Sequence, residues 1–401
     1  MSQYWWPETF PVNCLATALT ADDIDIEVLT GHPNYPDGKA FPGYRAGRLM
    51  KQEHDGITIH RVPILPRGKS SGLRLAFNYL SFVVSASFLG PLILRHSRFD
   101  VVLVYAPSPI TQVFPGWVLA KVKGAPLATW IQDLWPESLA STGHVRAPRV
   151  LALVGYLVSW LYRKNDMLLV QSPSFTDDVR RRAGSVPIAY LPNPAEHQET
   201  TQSADNAPAL MLPPGFNVVF AGNLGRAQSL ETVLDAAGRL NERQDIRFIL
   251  VGSGSKARWL RDEVQRQGLT NIDLPGRFHS SAIPGILKQA SALLVCLADE
   301  PIFTKTLPSK VPTYLAAGRP VVACLNGEGA RVIQESGAGI AVHAGDAASL
   351  ADAILQLADS SEAKREAMGD RARSHFEQHY APGRVAEKLQ DLIGQIIKMQ
   401  R

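Results

Sequence analysis

Ser309 and Lys310 lie in the stretch whose residue types best suit phosphate binding. In LPSKVPTYLAAGRPVVA, residues 307–323, they precede a short helical pattern that Gly318 ends. The free N–H groups of a helix N-terminus favour an anion, and a lysine adds a point charge for phosphate. The alternative is a capping serine beside a solvated lysine, and the stretch taken alone leaves both interpretations open.

A second candidate is the glycine turn in VVFAGNLGRAQSLETVLDAA, where a predicted strand meets a predicted helix. Gly222 and Gly225 would let the backbone approach a ligand, and Arg226 could pair with a phosphate through two hydrogen bonds. The alternative is an ordinary strand-to-helix turn. The later LVGSGS turn lacks the third glycine of a dinucleotide-binding fingerprint.

Acidic residues and one histidine follow predicted strand ends in the first half of the chain. Asp133 and Glu137 flank Trp-Pro in IQDLWPES, and His32 lies in GHPNYPDG. Asp133 could orient a substrate hydroxyl for proton removal, or it could cap the helix that begins near residue 136. Glu137 could simply complement the helix dipole, and a lone His32 could be structural. Glu8 could also reach a site at this edge.

The elements that must position these residues alternate between short apolar strands and helices. The alternation stops in HQETTQSADNAPALMLPPG and then starts again, so the sequence predicts an α/β protein with two doubly wound Rossmann-like domains facing a cleft. We expect an N-terminal domain over residues 1–197, a linker over 198–215 and a C-terminal domain over 216–378. An amphipathic helix over 379–401 should pack back toward the N-terminal domain.

The first strand of the N-terminal domain is missing from this pattern. PETFPVNCLATAL reads as a loop that feeds a helix, and only six residues precede it. We expect either a strand encoded upstream or, as the alternative, residues 2–6 acting as the stub of that strand, with Trp5 and Trp6 partly buried.

Composition excludes several classes of protein. The 401 residues are 45% hydrophobic and carry a net charge of +4, with basic and acidic residues interspersed, so no nucleic-acid partner is expected. Cys14, Cys296 and Cys324 are far apart and show no metal-binding spacing, which suggests reduced core thiols and no metal site. The opening MSQYWWPETF has neither the basic head nor the apolar run of a signal peptide.

Two apolar segments with basic ends occur in the N-terminal half, at residues 73–100 and 146–164. One interpretation is two buried helices of the first domain. The other is a peripheral membrane surface that admits a lipid-linked acceptor.

Taken together, these motifs resemble GT-B glycosyltransferases of the large retaining family 4. The order GNLG, VGSG, LPGRF and PSKVPTYLAAGRPVVA matches its C-terminal domain over residues 217–345. HPNYPDG and QDLWPES are similar to a narrower group, the fucosyl- and N-acetylfucosaminyl-type transferases of bacterial polysaccharide biosynthesis. The resemblance covers nearly the whole chain.

The resemblance implies a nucleotide diphosphate-sugar bound to the C-terminal domain, with no cofactor. The backbone at Arg277 and Phe278 would frame the base, and Thr313 would meet the ribose. The residues implied around the donor are Gly222, Asn223, Gly225, Arg226, Gln228, Arg277, Phe278, Lys305, Ser309, Lys310 and Thr313.

This chain also departs from the family pattern. The Glu-x7-Glu pair of the family is replaced by Lys305 and Thr313, and two basic residues near the glycine turn are replaced by Asn223 and Gln228. Positive charge is still needed at the leaving diphosphate, and Lys305, Lys310 and Arg226 could supply it. The departures bear on the ribose and sugar contacts more than on the phosphate site.

We therefore expect a retaining, hexosyltransferase-type glycosyltransferase at the cytoplasmic face of the plasma membrane. It would move a sugar from a nucleotide diphosphate donor to a lipid-linked saccharide in polysaccharide biosynthesis, such as that of exopolysaccharide or O-antigen. The alternatives are a GT-B sugar-nucleotide epimerase and an inactive, donor-binding subunit.

Overall fold

The computed structural model describes residues 1–22, 24–68, 72–141, 147–195 and 210–400. The chain forms two compact units, the first comprising Met1–Pro194 with Pro382–Arg401 and the second Ala195–Ala381. Residues 198–209 of the expected linker lie outside the described residues.

The first unit contains a three-stranded sheet and a four-stranded sheet. Their orders are β1-β3-β2 and β4-β5-β6-β7. The strands are β1 Glu27–Thr30, β2 Met50–His54, β3 Ile57–Arg61, β4 Val102–Ala106, β5 Leu127–Ile131, β6 Met167–Val170 and β7 Ile188–Tyr190. All pairs are parallel except β2 with β3.

The antiparallel pair of β2 and β3 was not predicted from the sequence. Asp55 and Gly56 connect the two strands with φ angles of 48° and 75°. Two residues with positive φ form the tight turn that matches the twist of a hairpin, and Asp-Gly is a preferred sequence for it. The signal was therefore present in the sequence.

The chain start lies between the two sheets of the first unit. Ser2 N donates to Leu29 O at 3.2 Å, Gly31 N donates to Gln3 O at 3.3 Å, and Tyr105 N donates to Met1 O at 2.9 Å. These bonds join β1 to β4 through Met1–Gln3, at the position where a first strand was expected. Trp5 is buried and Trp6 is half-buried, as the stub alternative for residues 2–6 requires.

Helices cover both faces of these sheets. Residues of α2, α3, α5 and α6 share one apolar cluster with the sheets, and residues of α1 and α15 share another. The helices are α1 Pro11–Thr20, α2 Gly72–Ile93, α3 Val113–Lys123, α4 Glu137–Ser141, α5 Pro148–Tyr162, α6 Thr176–Ala183 and, from the C-terminal segment, α15 Pro382–Gln400. The C-terminal helix thus belongs to the first unit.

The second unit contains one parallel sheet of six strands in the order β10-β9-β8-β11-β12-β13. The strands are β8 Phe216–Asn223, β9 Ile246–Ser253, β10 Ile272–Gly276, β11 Ala292–Cys296, β12 Val321–Cys324 and β13 Gly339–Val342. Its helices are α7 Leu230–Arg239, α8 Ala257–Gln267, α9 Ile283–Gln289, α10 Pro301–Lys305, α11 Lys310–Ala317, α12 Glu328–Ser336, α13 Ala347–Ala358 and α14 Glu362–His379.

This strand order confirms the predicted Rossmann-like class for the second unit. Successive strands run outward from β8 on one side and from β11 on the other, so the order reverses between these two strands. Ligands of open α/β sheets bind beyond the carboxyl ends of the strands at such a reversal. Cys296 and Cys324 end β11 and β12 as buried free thiols, whereas Cys14 is only half-buried.

Candidate functional site

The glycine turn after β8 lies at the point where the strand order reverses. Gly222 and Gly252 both have a φ of 147°, a conformation that side chains rarely adopt. A Cβ atom at Gly252 would lie 1.8 Å from Gly222 O, and one at Gly222 would lie 2.7 Å from Lys310 Cε. Both positions therefore favour glycine, because a side chain would be strained at this φ and, at Gly252, would also meet backbone, whereas the flexible end of Lys310 near Gly222 can shift.

Lys310 lies beside this turn, and its pKa is strongly shifted. Its Nζ donates to Gln228 Oε1 at 2.9 Å and lies 4.9 Å from the centre of the Phe220 ring. Burial lowers the pKa of Lys310 to about 8. The described residues include no carboxylate paired with this ammonium group. A bound anion would therefore compensate for the contacts with water that the ammonium group loses on burial.

Ser309 immediately precedes α11. Ser309 is exposed and its side chain caps no N–H group of the helix. Thr313 Oγ1 donates to Ser309 O at 3.1 Å, inside the same turn. The capping alternative for Ser309 is therefore wrong, and so is the solvated alternative for Lys310.

The turn after β8 and the loop after β11 are joined by a main-chain bond from Ala298 N to Ala227 O of 2.9 Å. Asn223 and Arg226 are exposed in this turn, and a Cβ at Gly225 would lie 2.7 Å from Asn223 Nδ2. The structure thus brings together Gly222, Asn223, Gly225, Gln228 and Lys310, as the sequence analysis expected of a single site.

The remaining predicted donor residues lie on other loops of the second unit. Arg277 is exposed and Phe278 is half-buried in the segment that follows β10, two strands from β8. Lys305 is the half-buried last residue of α10. The base-binding role of Arg277 and Phe278 stays a prediction.

Glu328 is a buried carboxylate at this edge that sequence reasoning missed. It begins α12 just after β12, is 3% exposed, and pairs with Arg331. A Cβ at Gly329 would lie 3.2 Å from Pro308 Cδ, so this turn packs against the segment that leads into α11. A Gly-Glu-Gly triplet after a predicted strand was the available signal.

In the first unit, Asp133 links the loops that follow β4 and β5. Its Oδ2 accepts bonds from Ser108 N at 3.2 Å and Ser108 Oγ at 2.7 Å. Trp135 Nε1 in turn donates to Ser108 Oγ at 3.1 Å. Among the described residues, both hydrogen bonds of this carboxylate go to Ser108 rather than to the first N–H groups of α4. A half-buried carboxylate held this way can accept a bond from a substrate hydroxyl.

Glu137, Glu8 and His32 each have a partner within the first unit. Glu137 pairs with Arg182 at 2.7 Å. Glu8 is 3% exposed, and its Oε1 accepts from the N–H groups of Asn34 and Tyr35 at 2.8 and 2.7 Å. Burial raises the pKa of Glu8, and these two bonds oppose the shift. Its carboxylate therefore holds the loop that follows β1.

His32 holds the same loop from within. Its Nε2 lies 2.8 Å from Arg48 O, which assigns the ring proton to Nε2 as the donor. Burial lowers the pKa of His32, so the ring is neutral at pH 7. The structure places Glu8 and His32 as loop anchors, and a catalytic role for either stays a prediction.

Comparison with known proteins identifies domains in both halves of the chain. Residues 12–194 match a "Glycosyl transferase 4-like domain", and residues 215–360 match "Glycosyl transferases group 1". A relative from Escherichia coli K12, described as "Putative colanic acid biosynthesis glycosyl transferase WcaI", is 27% identical over 311 residues, which cover 75% of each chain.

Solved structures with the same fold are more distant in sequence. Sucrose-phosphate synthase from Thermosynechococcus elongatus has a TM-score of 0.70 at 17% identity, covering 97% of this chain and 93% of that one. Anabaena HepE in complex with UDP has a TM-score of 0.69 at 13% identity, covering 98% of each. The E. coli trehalose-6-phosphate structure bound with UDP-2-fluoro glucose has a TM-score of 0.70 at 12% identity, also covering 98% of each.

The buried ammonium of Lys310 generates a prediction about stability. Because its folded pKa lies below its usual value, the unfolded chain holds more protons between about pH 8 and 10.5. The free energy of unfolding of the wild type should therefore be lowest below about pH 8 and should rise between about pH 8 and 10.5. Lys310→Met should raise the free energy of unfolding at pH 7 by about 1 kcal/mol, and this advantage should shrink at pH 9.5.

Urea unfolding at the two pH values measures this difference. Lys364→Met on α14 is the matched control because Lys364 is exposed. An Lys310→Met variant that is less stable than wild type at both pH values would show that the ammonium group is well solvated in the fold.

Proposed function

Since the chain belongs to the glycosyl transferases that these two domains define, we propose that it uses a nucleotide diphosphate-sugar as donor and a lipid-linked saccharide as acceptor, in cell-surface polysaccharide biosynthesis. The observation that carries the donor assignment is Lys310, a cation with a lowered pKa beside a glycine-lined turn. Two chains of the same fold that were solved with UDP or a UDP-sugar support it.

The donor diphosphate fits the edge where the strand order reverses. Lys310 and Arg226 would neutralise the charge that develops on the leaving nucleotide diphosphate, which is the main electrostatic demand of glycosyl transfer. The glycines at 222 and 225 leave room for phosphate oxygens near the main chain. The bound diphosphate would give the Lys310 ammonium group a charged partner in place of the water contacts that burial removes.

Asp133 is the proposed group for the acceptor. Its carboxylate is fixed by Ser108 at the carboxyl edge of the first unit's sheet, where it can accept a bond from a sugar hydroxyl. Retention of configuration, a hexosyl donor and the fucosyl or N-acetylfucosaminyl subtype are further parts of the proposal, and they rest on the motif resemblance. The polysaccharide role is supported by the similarity to the E. coli relative.

A membrane surface is proposed from the outer face of α2. This 22-residue helix is long and apolar enough to cross a bilayer. Only 22% of an apolar 18-residue window within it is buried by the rest of the chain. Its inner face packs Asn78, Phe82, Ala86 and Gly90 into the first unit. A helix anchored on one face in this way fits a position along the membrane surface better than a crossing.

The exposed side of α2 is a continuous apolar stripe, and α5 carries a second one. The inner faces of both helices contribute to the same apolar cluster of the first unit. The stripe of α2 comprises Leu73, Phe77, Leu80, Val84, Phe88 and Leu92, and α5 exposes Val150, Leu153, Tyr156 and Leu157. The buried-helix alternative is therefore wrong for these outer faces.

Charge near these stripes favours an anionic bilayer as the occupant. Residues 72–99 and 147–165 contain no Asp or Glu. Exposed basic residues at the helix ends are Arg74, Arg95, Arg98, Lys121, Arg149 and Arg163. We propose on this basis that the protein acts as a peripheral protein at the cytoplasmic face of the plasma membrane.

The donor proposal predicts the effect of removing Lys310. Lys310→Ala should weaken binding of the correct nucleotide diphosphate by about 1.5–3 kcal/mol, the usual range for a hydrogen bond to a charged group. Calorimetry with a panel of nucleoside diphosphates measures this, and Lys364→Ala is the control. Equal affinities for wild type and Lys310→Ala would remove Lys310 from the site.

The acceptor proposal predicts the effect of Asp133→Asn. This change should lower the acceptor-dependent release of nucleotide diphosphate by roughly 10²–10⁴-fold, the usual contribution of a positioned general base, and leave nucleotide affinity unchanged. Acceptor-independent conversion of the donor sugar would instead indicate an epimerase. Donor binding without any turnover would indicate an inactive subunit.

The membrane proposal predicts the effect of a charge within the stripe. Phe88 is 72% exposed on α2, and Phe88→Glu should reduce co-sedimentation with anionic vesicles at low salt. Met399→Glu is the control, because Met399 is 53% exposed on α15, whose buried face belongs to a different apolar cluster from that of α2. Binding that both substitutions leave unchanged would refute the assignment of α2 to the membrane.

A further inference from the structure

Two histidines lie one turn apart at the end of α14. The chain has ten histidines, and His375 and His379 are the only two that are four positions apart. Side chains at positions i and i+4 of an α-helix lie on the same face, one above the other. The centres of these two imidazole rings are accordingly 4.4 Å apart, with an angle of 48° between the ring planes. The expectation of no metal site rested on the spacing of the cysteines and took no account of this pair.

The separation of the rings suits two nitrogen ligands of one metal ion. Zinc binds histidine nitrogen at about 2.0–2.1 Å, so two ligands of the same ion have their nitrogen atoms roughly 3 Å apart. Rings whose centres are 4.4 Å apart can reach that distance by rotating about their side-chain bonds, without movement of the helix backbone. Two histidines at this spacing on a helix also supply the nitrogen ligands of the His-Glu-x-x-His zinc motif.

His375 is in the protonation state that binds a metal ion. Metal ions bind the neutral imidazole, so a histidine that carries a second proton must lose it first. Burial, together with the charge of the neighbouring His379, lowers the pKa of His375 to about 4. The His375 ring is therefore neutral at pH 7 and keeps one unprotonated nitrogen.

The electrostatic setting of the pair favours a cation. His379 is the last residue of α14, and the carbonyl groups at the end of a helix carry a partial negative charge that attracts cations. The charge of Glu335, on α12, also acts on His375, and that of Arg331 opposes it. Arg331 is itself paired with both Glu335 and Glu328, which balance its charge. Because His375 does not hold a second proton at pH 7, a metal ion can supply the cation that this helix end favours.

We propose that His375 and His379 bind a divalent transition-metal ion, such as zinc, nickel or copper, through one nitrogen of each ring. Imidazole suits these metals, whereas magnesium and calcium prefer oxygen ligands. In the part of the chain that the structure describes, no third His, Cys, Asp or Glu completes a metal-binding group, so water would fill the remaining positions. The metal site does not depend on the proposed donor or acceptor.

A metal ion at this pair would stabilise the end of the second unit. Tyr380 follows the pair directly, and its ring centre lies 5.9 and 6.3 Å from those of the two imidazoles. Its carbonyl oxygen accepts a bond from Ala195 N at 3.0 Å, and these residues belong to the unit that begins at Ala195 and ends at Ala381. A metal ion held across the last turn of α14 would oppose fraying of that turn, and binding should therefore raise the free energy of unfolding.

Titration of zinc into the full chain tests the site. The protein carries no affinity tag and is first freed of metal with a chelator, which is then removed. Calorimetry should show zinc binding to the wild type, and His379→Gln should weaken it by at least about tenfold, since loss of an outer-shell partner alone costs about 10–100-fold. His96→Gln is the matched control, because His96 is an exposed histidine outside the pair, and it should leave zinc affinity unchanged.

Urea unfolding separates metal binding from damage to the fold. His379 is exposed, so His379→Gln should unfold at the same urea concentration as the wild type when chelator is present. Zinc should raise the unfolding midpoint of the wild type and of His96→Gln, and it should leave that of His379→Gln nearly unchanged. His375→Gln is the second variant and should show the same loss of zinc binding. Zinc affinity in the wild type that is no higher than in these two variants would overturn the proposal.

Discussion

The proposed donor site depends on the close approach of Lys310 to the main chain at Gly222. A side chain at Gly252 would meet the carbonyl oxygen of Gly222, and one at Gly222 would be strained by its φ of 147° and would displace the end of Lys310. This packing buries the ammonium group against Phe220 and Gln228 and lowers its pKa to about 8. A cation that the fold has partly desolvated gains more from a bound anion than a surface lysine does.

The acidic candidate residues of the first unit are all held by partners within it. Glu8 and Glu137 are tied to partners within the unit, and Asp133 is held by Ser108. Arg67 and Arg74 have no carboxylate partner among the described residues. The unit therefore holds these three carboxylates in fixed positions, whereas no described carboxylate neutralises these two arginines at the start of α2.

Helix α2 has apolar side chains on both its buried face and its exposed face. Its inner face contributes Phe82 and Ala86 to the core, and its outer face leaves six large apolar side chains exposed. Such a stripe is costly in water, and the free energy of burying it is recovered only when a hydrocarbon phase covers it.

The sequence by itself determined the two βαβ arrays, the glycine turn and Lys310 at a helix start, because these signals are local and periodic. It also contained the Asp-Gly hairpin and the Gly-Glu-Gly turn before α12, which were overlooked. Only the tertiary structure decided that Met1–Gln3 bond to both β1 and β4, that Asp133 bonds to Ser108 rather than capping α4, and that Glu8 and His32 anchor a loop. These outcomes depend on groups far apart in the chain, whose distances are set by strand order and burial, and no local pattern encodes them.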